Sequence, residues 1–132
     1  RNVLVVASDC RPAPPRSPQE KSFGDGAAAF LVSRDDVRAS IDAAHFVTDE
    51  IIDVWRTDRD PWVKSWEDRF VLEHGYQRTT AEVCRGLFAK TGSTAADFSR
   101  AVLFGPDARS QAGLAKALGF DAKTRLQPAL FG

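Results

Sequence analysis

Between two short apolar runs the chain carries Pro12, Pro14, Pro15 and Pro18, and a segment of that kind can be neither helix interior nor central strand. The runs on either side are therefore separate elements joined by an irregular loop. Residues 3–7, Val-Leu-Val-Val-Ala, are continuously apolar and rich in β-branched side chains, which predicts a strand covered on both faces in a mostly parallel sheet. The far run follows Phe23-Gly24-Asp25-Gly26-Ala27-Ala28-Ala29 and reads as a tight turn feeding a buried strand over residues 27–33. Gly24 and Gly26 permit positive φ or a close backbone approach, and three successive alanines add no bulk, so a near neighbour is expected there. Asp25 reads as an acceptor for backbone amides of the turn rather than a carrier of substrate protons.

Downstream, a polar turn at Arg34-Asp35-Asp36 leads to a predicted strand over residues 38–48, in which His45 reads as a packed or solvent-facing residue. Residues 51–56 continue in extended form until Thr57-Asp58-Arg59-Asp60-Pro61 breaks them. Three helices are then predicted. The first carries Trp62, Trp66 and Phe70 at a spacing of four and ends at Gly75; its aromatic stripe reads as a core or interface face, with an acyl-chain pocket as the sharper alternative. The second starts at a Thr79 or Thr80 cap, buries Val83, Cys84, Leu87 and Phe88, and closes at Gly92-Ser93. A short helical turn over residues 93–98 precedes a compact buried strand over residues 101–104. Gly105-Pro106-Asp107 then opens the third helix, capped by Asp107, burying Leu114 and Leu118 and stopping at Gly119. Residues 123–132 read as the start of a further strand or loop.

A length of 132 residues suits one domain with a real core, and 18 basic against 18 acidic residues leave no charge bias toward nucleic acid or an anionic membrane surface. No apolar run is long enough to span a bilayer and no signal-peptide pattern opens the sequence, so a cytoplasmic protein is expected. Cys10 and Cys84 lie far apart, with neither metal-ligand spacing nor a disulfide framework, and both read as free thiols. Arg1, in place of Met, leads straight into a strand, which predicts an excised fragment, a processed product or a trimmed form.

Val3-Leu4-Val5-Val6-Ala7-Ser8-Asp9, the proline loop and Phe23-Gly24-Asp25-Gly26-Ala27-Ala28-Ala29 together resemble the middle of a thiolase-superfamily condensing enzyme of the 3-hydroxy-3-methylglutaryl-CoA synthase branch, with ketoacyl synthase III more distant. Asp53-Val54-Trp55-Arg56, Ser65-Trp66-Glu67-Asp68-Arg69-Phe70 and His74-Gly75-Tyr76 resemble a block of the same branch. The resemblance implies an α/β, thiolase-like fragment with a mixed sheet and packed helices. Residues 1–48 would supply strands and the Gly-Asp-Gly turn from the end of one half, and residues 49–132 the helices and strand that begin the other. It implies a parent acyltransferase of lipid metabolism that forms a carbon–carbon bond, taking an acyl-CoA as substrate with no metal or other cofactor. Partnership with a thiolase or an OB-fold zinc-ribbon protein is also implied, while homo-oligomerisation is expected because a sheet opened at both ends exposes unpaired edges and an apolar face.

Such chemistry needs a thiolate nucleophile, a proton-handling group and oxyanion donors. The family's cysteine lies upstream of the first strand, so Cys10 does not match it. Its histidine precedes a proline and a helix; with Pro106 as the match, that position is Phe104, which cannot exchange a proton. Its asparagine turn would follow Gly132. Arg109 matches a basic position near the CoA entrance, and Gly24, Asp25 and Gly26 match the turn beneath the catalytic centre. By itself the segment is expected to be inactive. The alternative is a non-catalytic homologue that binds CoA esters or scaffolds a thiolase.

Overall fold

The computed structural model describes residues 1–127. They form two compact units, one built from Arg1–Asp42 and Ile52–Glu67, the other from Ala43–Ile51 and the chain from Asp68 onward.

In the first unit, β1 (Val3–Asp9) pairs antiparallel with β2 (Gly26–Val32), Val3 opposite Val32 and Asp9 opposite Gly26. Every residue of both strands is exposed among the described residues, Val5 at 49% and Leu4 at 64%. The expected burial between helices in a parallel sheet is therefore not met among the described residues, where the two strands pair antiparallel. Its apolar composition fits a strand that wants cover on both faces, and nothing described supplies it. The intervening loop is more ordered than four prolines suggested. Ser17 caps α1 (Pro18–Ser22) by accepting from the Glu20 amide, and Pro18 occupies the first helical turn, where a missing N–H costs nothing.

A second small ribbon joins β3 (Val54–Trp55) to β4 (Lys64–Ser65), extended by Trp66 N–H donating to the Asp53 carbonyl at 2.9 Å, while Val63 N–H reaches Pro12 O at 2.9 Å. These cross-chain bonds take the donors a helix would have needed. The predicted helix beginning at Trp62 is thus a ribbon, and Trp66 lies against Trp55 with ring centroids 6.4 Å apart. The ribbon's turn is held by Asp60, which takes Lys64 Nζ at 2.7 Å and both the amide and hydroxyl of Thr57 at 3.1 and 2.7 Å.

Those donors, Lys64 first and then Thr57, hold the Asp60 carboxyl down at about 2 from an ordinary 3.8. A depressed carboxyl stabilises the fold above its unfolded value and loses that contribution as pH falls through its folded value. Ribbon stability should therefore be constant above about pH 4 and decline toward about pH 2. Tryptophan fluorescence followed through an acid titration checks this, and Asp60→Asn should flatten the response in that window; an unchanged acid curve in the variant would refute the assignment.

The second unit is helical and holds the core. One continuous helical run comprises α2 (Asp68–Phe70), a π-helical turn (Val71–Gln77) and α3 (Arg78–Thr91), ended by Gly92 at φ 68°. Two expectations are corrected here: Gly75 does not cap a helix and Thr79 or Thr80 does not start one. Gly75 instead admits the Ile51 side chain, whose Cγ2 would stand 3.4 Å from an added Cβ. Nor do residues 38–48 form a strand. Residues 43–51 run antiparallel to the helix as a strap, tied by Lys90 Nζ to Ala44 O at 2.9 Å, by the His45 ring packed against Gly86, and by an Asp49–Arg78 ion pair. These contacts hold the segment through side chains of the helix, not through the regular backbone ladder a sheet requires.

Past Gly92, Thr94 and Asp97 close a reciprocal capping box over a 3₁₀ turn (Ala95–Asp97). Ala101 bridges Leu126 in parallel, with Ala101 N–H donating to Arg125 O at 2.8 Å and Gln127 N–H to Ala101 O at 3.0 Å. The strand expected at 101–104 is not formed: Ala101 makes a single isolated bridge, and the segment is buried on one side alone, at Ala101 and Leu103, while Val102 and Phe104 face outward. Asp107 caps α4 (Ala108–Ala117) and Gly119 ends it at φ 87°, both as the sequence predicts. Leu114, Ala115 and Phe120 complete the core with Ala95, backed by Phe88, Phe98 and Leu118. Arg125 Nη1 donates to the carbonyls of Ala95, Ala96 and Phe98, tying the 3₁₀ turn to the distal loop.

Candidate functional site

Gly24-Asp25-Gly26 lies in the first unit and leads into β2, which begins at Gly26, without forming the tight turn the sequence suggests. An added Cβ would meet nothing within 4 Å at Gly24 or Gly26, and neither has positive φ, so the near neighbour expected from the sequence is not among the described residues. Asp25 instead faces Cys10. The thiol donates to the Asp25 carboxylate, and that hydrogen bond and charge raise the Cys10 pKa, with Arg56 pulling weakly the other way. A thiol held beside a carboxylate is kept protonated and is a poor nucleophile. Cys84, half-buried on α3, is also raised, by burial. Neither cysteine is activated, in line with the loop-thiol reading of Cys10, whereas Cys84 is half-buried and not in the core the sequence assigned it to.

In the second unit, the turn from Leu103 to Asp107 collects the remaining candidates. Phe104 projects outward and is 79% exposed, so the position matched to the family histidine presents an apolar ring to the surroundings. Arg109 sits in the first turn of α4, exposed, with no side-chain hydrogen bond or ion pair among the described residues; its neighbour Asp107 is held below the usual carboxylate range by Ser110, whose hydroxyl and amide donate at 2.7 and 2.8 Å.

Behind that turn lies a residue the sequence reading did not single out. The π-helical turn brings Tyr76 onto Gly105, where a Cβ would come 2.7 Å from Oη. The hydroxyl is buried and has no hydrogen-bond partner among the described residues. Burial, and then the Asp107 charge, raise its pKa, so it stays a neutral phenol able to donate or accept a hydrogen bond. Gln111 closes the same spot, donating Nε2 to Leu103 O at 3.0 Å. The sole sequence signal was a lone tyrosine after His74-Gly75; its meeting with Gly105 depends on the π turn. No group of three or more metal-binding side chains occurs among the described residues, and none of their helices is long and apolar enough to cross a membrane.

Hydroxymethylglutaryl-CoA synthase of Aeropyrum pernix is 35% identical over 120 residues, covering 89% of this chain and 33% of that protein. The synthase of Archaeoglobus fulgidus is 32% identical over 117 residues, again 89% of this chain and 34% of that protein. The chain is hydroxymethylglutaryl-CoA synthase-like. A crystal structure of HMG-CoA synthase complexed with CoA superposes with a TM-score of 0.74 at 20% identity, over 92% of this chain and 31% of that one, which establishes a thiolase-like fold. No family model matches the sequence. The synthase-like chain spans about a third of the length of the curated relatives it matches.

Proposed function

We propose that this synthase-like chain is a segment of an acyl-CoA-dependent condensing enzyme, an acyltransferase that forms a carbon–carbon bond. The observation that carries the reading is similarity to hydroxymethylglutaryl-CoA synthases running across nine-tenths of the chain, with 35% identity to the Aeropyrum protein. The division of labour follows from the residues. The segment supplies Gly24-Asp25-Gly26 and the Leu103–Asp107 turn with Arg109 as a cation toward CoA, while the nucleophilic thiolate belongs to another part of the protein, since Cys10 and Cys84 are both held as thiols. A cytoplasmic setting, a role in lipid metabolism and association with a thiolase or an OB-fold zinc-ribbon protein go with this proposal.

Intact-mass spectrometry of the gene product after incubation with acetyl-CoA tests it. One added acetyl group, mapped to a cysteine other than Cys10 and Cys84, is the expected result. CoA binding without an adduct would instead make the protein a non-catalytic homologue, for which Phe104 in place of a proton carrier would be the reason.

Self-association also belongs to the proposal, and the β1–β2 hairpin is its cause. Phe30 and Leu31 are each 66% exposed and Val6 63%, an apolar surface that water covers at a cost of roughly 25 cal/mol per Å². Light scattering of the 132-residue chain should show a species larger than a monomer, and Val6→Lys with Leu31→Lys should dissociate it; a monodisperse monomer at high concentration would refute this.

A further inference from the structure

Among the described residues, no backbone–backbone hydrogen bond holds the strap of residues 43–51 in place. Side-chain contacts with the helix do so instead. Lys90 Nζ donates to Ala44 O and Arg78 pairs with Asp49, both near the surface, where such contacts are individually weak. The His45 ring rests on Gly86 and the Ile51 side chain on Gly75. These two glycines stand eleven residues apart, about three helical turns, and so share a face. Each weakens a helix taken alone, so the run has given up intrinsic stability on the face that receives the strap. Ile51 also sits on the π-helical turn itself, since Gly75 lies within Val71–Gln77. The next residue, Tyr76, is the one that turn places against Gly105, with its hydroxyl buried and unpartnered among the described residues. Two costs therefore oppose the arrangement: π geometry, which helices rarely adopt, and a buried phenol without a partner. The strap contacts offset them.

We propose that the strap is a switch for the π turn. Docked, Ile51 holds the turn in π form and Tyr76 against Gly105. Released, the helix returns to α form, each backbone bond closing one residue sooner, and Tyr76 is re-aimed off Gly105. The element with two arrangements is the helix, and it is biased by the strap on one face and by the packing of Tyr76 on the 103–107 turn. Fixing or freeing residues 43–51 thus changes what stands behind the turn that carries Phe104, without any contact to that turn being altered directly.

The Tyr76 ring signal tests this at a distance, followed by NMR with labelled tyrosine and assigned as the one lost in Tyr76→Phe. Lys90 lies fourteen residues past Tyr76, roughly 20 Å along a helix. Lys90→Ala removes the tether to Ala44, and Gly86→Ala puts a methyl group where the His45 ring rests. Both should move the Tyr76 signal in one direction, and Ile51→Ala should move it further along the same line. Helical circular dichroism should hold in the two α3 variants, since alanine suits a helix. Removing the hydroxyl should act in reverse: adding Tyr76→Phe to Lys90→Ala should cut the released fraction about tenfold, read at the His45 ring. A Tyr76 signal that stays in place while the His45 signals report a freed strap would overturn the inference, as would a released fraction that Tyr76→Phe leaves unchanged. A His45 ring that none of the three alanine variants frees would overturn it too. So would a loss of helical signal in both α3 variants, which would make the strap a support for the helix and not a switch within it.

Discussion

Phe120→Ala should cost the second unit about 3–5 kcal/mol. The side chain is 8% exposed and its ring stands 6.2 Å from that of Phe88 and 6.3 Å from that of Phe98, which themselves meet at 5.6 Å. Truncation removes the third member of this aromatic cluster and opens a cavity beside Ala95 and Ala115, which are already too small to fill it. Domains of this size are stable by roughly 5–15 kcal/mol in total, so the loss is a large fraction of what the unit has. Urea denaturation followed by far-ultraviolet circular dichroism checks it. A loss below about 1 kcal/mol would show that the core does not depend on the cluster.

Gly105→Ala should cost about 1–3 kcal/mol, though the residue is half-buried and in no regular element. A methyl group there would meet Tyr76 Oη at 2.7 Å and Cζ at 3.2 Å, and would also strike Gln111 Cγ. Gln111 can turn aside; the tyrosine, seated on a helical run, cannot do so without moving the π turn. Removing the hydroxyl should relieve part of the clash, so Gly105→Ala with Tyr76→Phe should be less destabilised than the sum of the two single changes. Strict additivity would mean that the glycine is there for another reason.

Local signals carried the sequence reading a good distance. Asp107 and Gly119 bracket α4, Gly92 ends α3, and the Thr94–Asp97 box marks the 3₁₀ turn, because each depends on side chains bonding backbone within a few residues. What failed depended on partners distant in sequence. The spacing of Trp62, Trp66 and Phe70 suits a helix, but Val54 and Trp55 claim the backbone at Lys64 and Ser65 first. Gly75 resembles a stop until Ile51 is seen to need its bare face. The apolar runs of β1 and β2 were correctly strands, yet the side they bury is not among the described residues. At the site, Phe104 and Arg109 could be located from the Gly-Pro-Asp turn, while Tyr76 required knowing that a helix widens to π form before reaching Gly105.

The uneven distribution of core has a consequence for synthesis. Within the described residues translation delivers Arg1–Asp42 ahead of the second unit's helices, and every residue shielded from water lies at Ala95 or beyond. An apolar hairpin thus emerges from the ribosome long before the aromatic cluster that makes the other unit cohesive, and nascent chains in that state are the ones that chaperones hold. Slowing translation after Phe30-Leu31-Val32 should therefore lengthen the period in which this protein is captured, whereas slowing it after Phe120 should not.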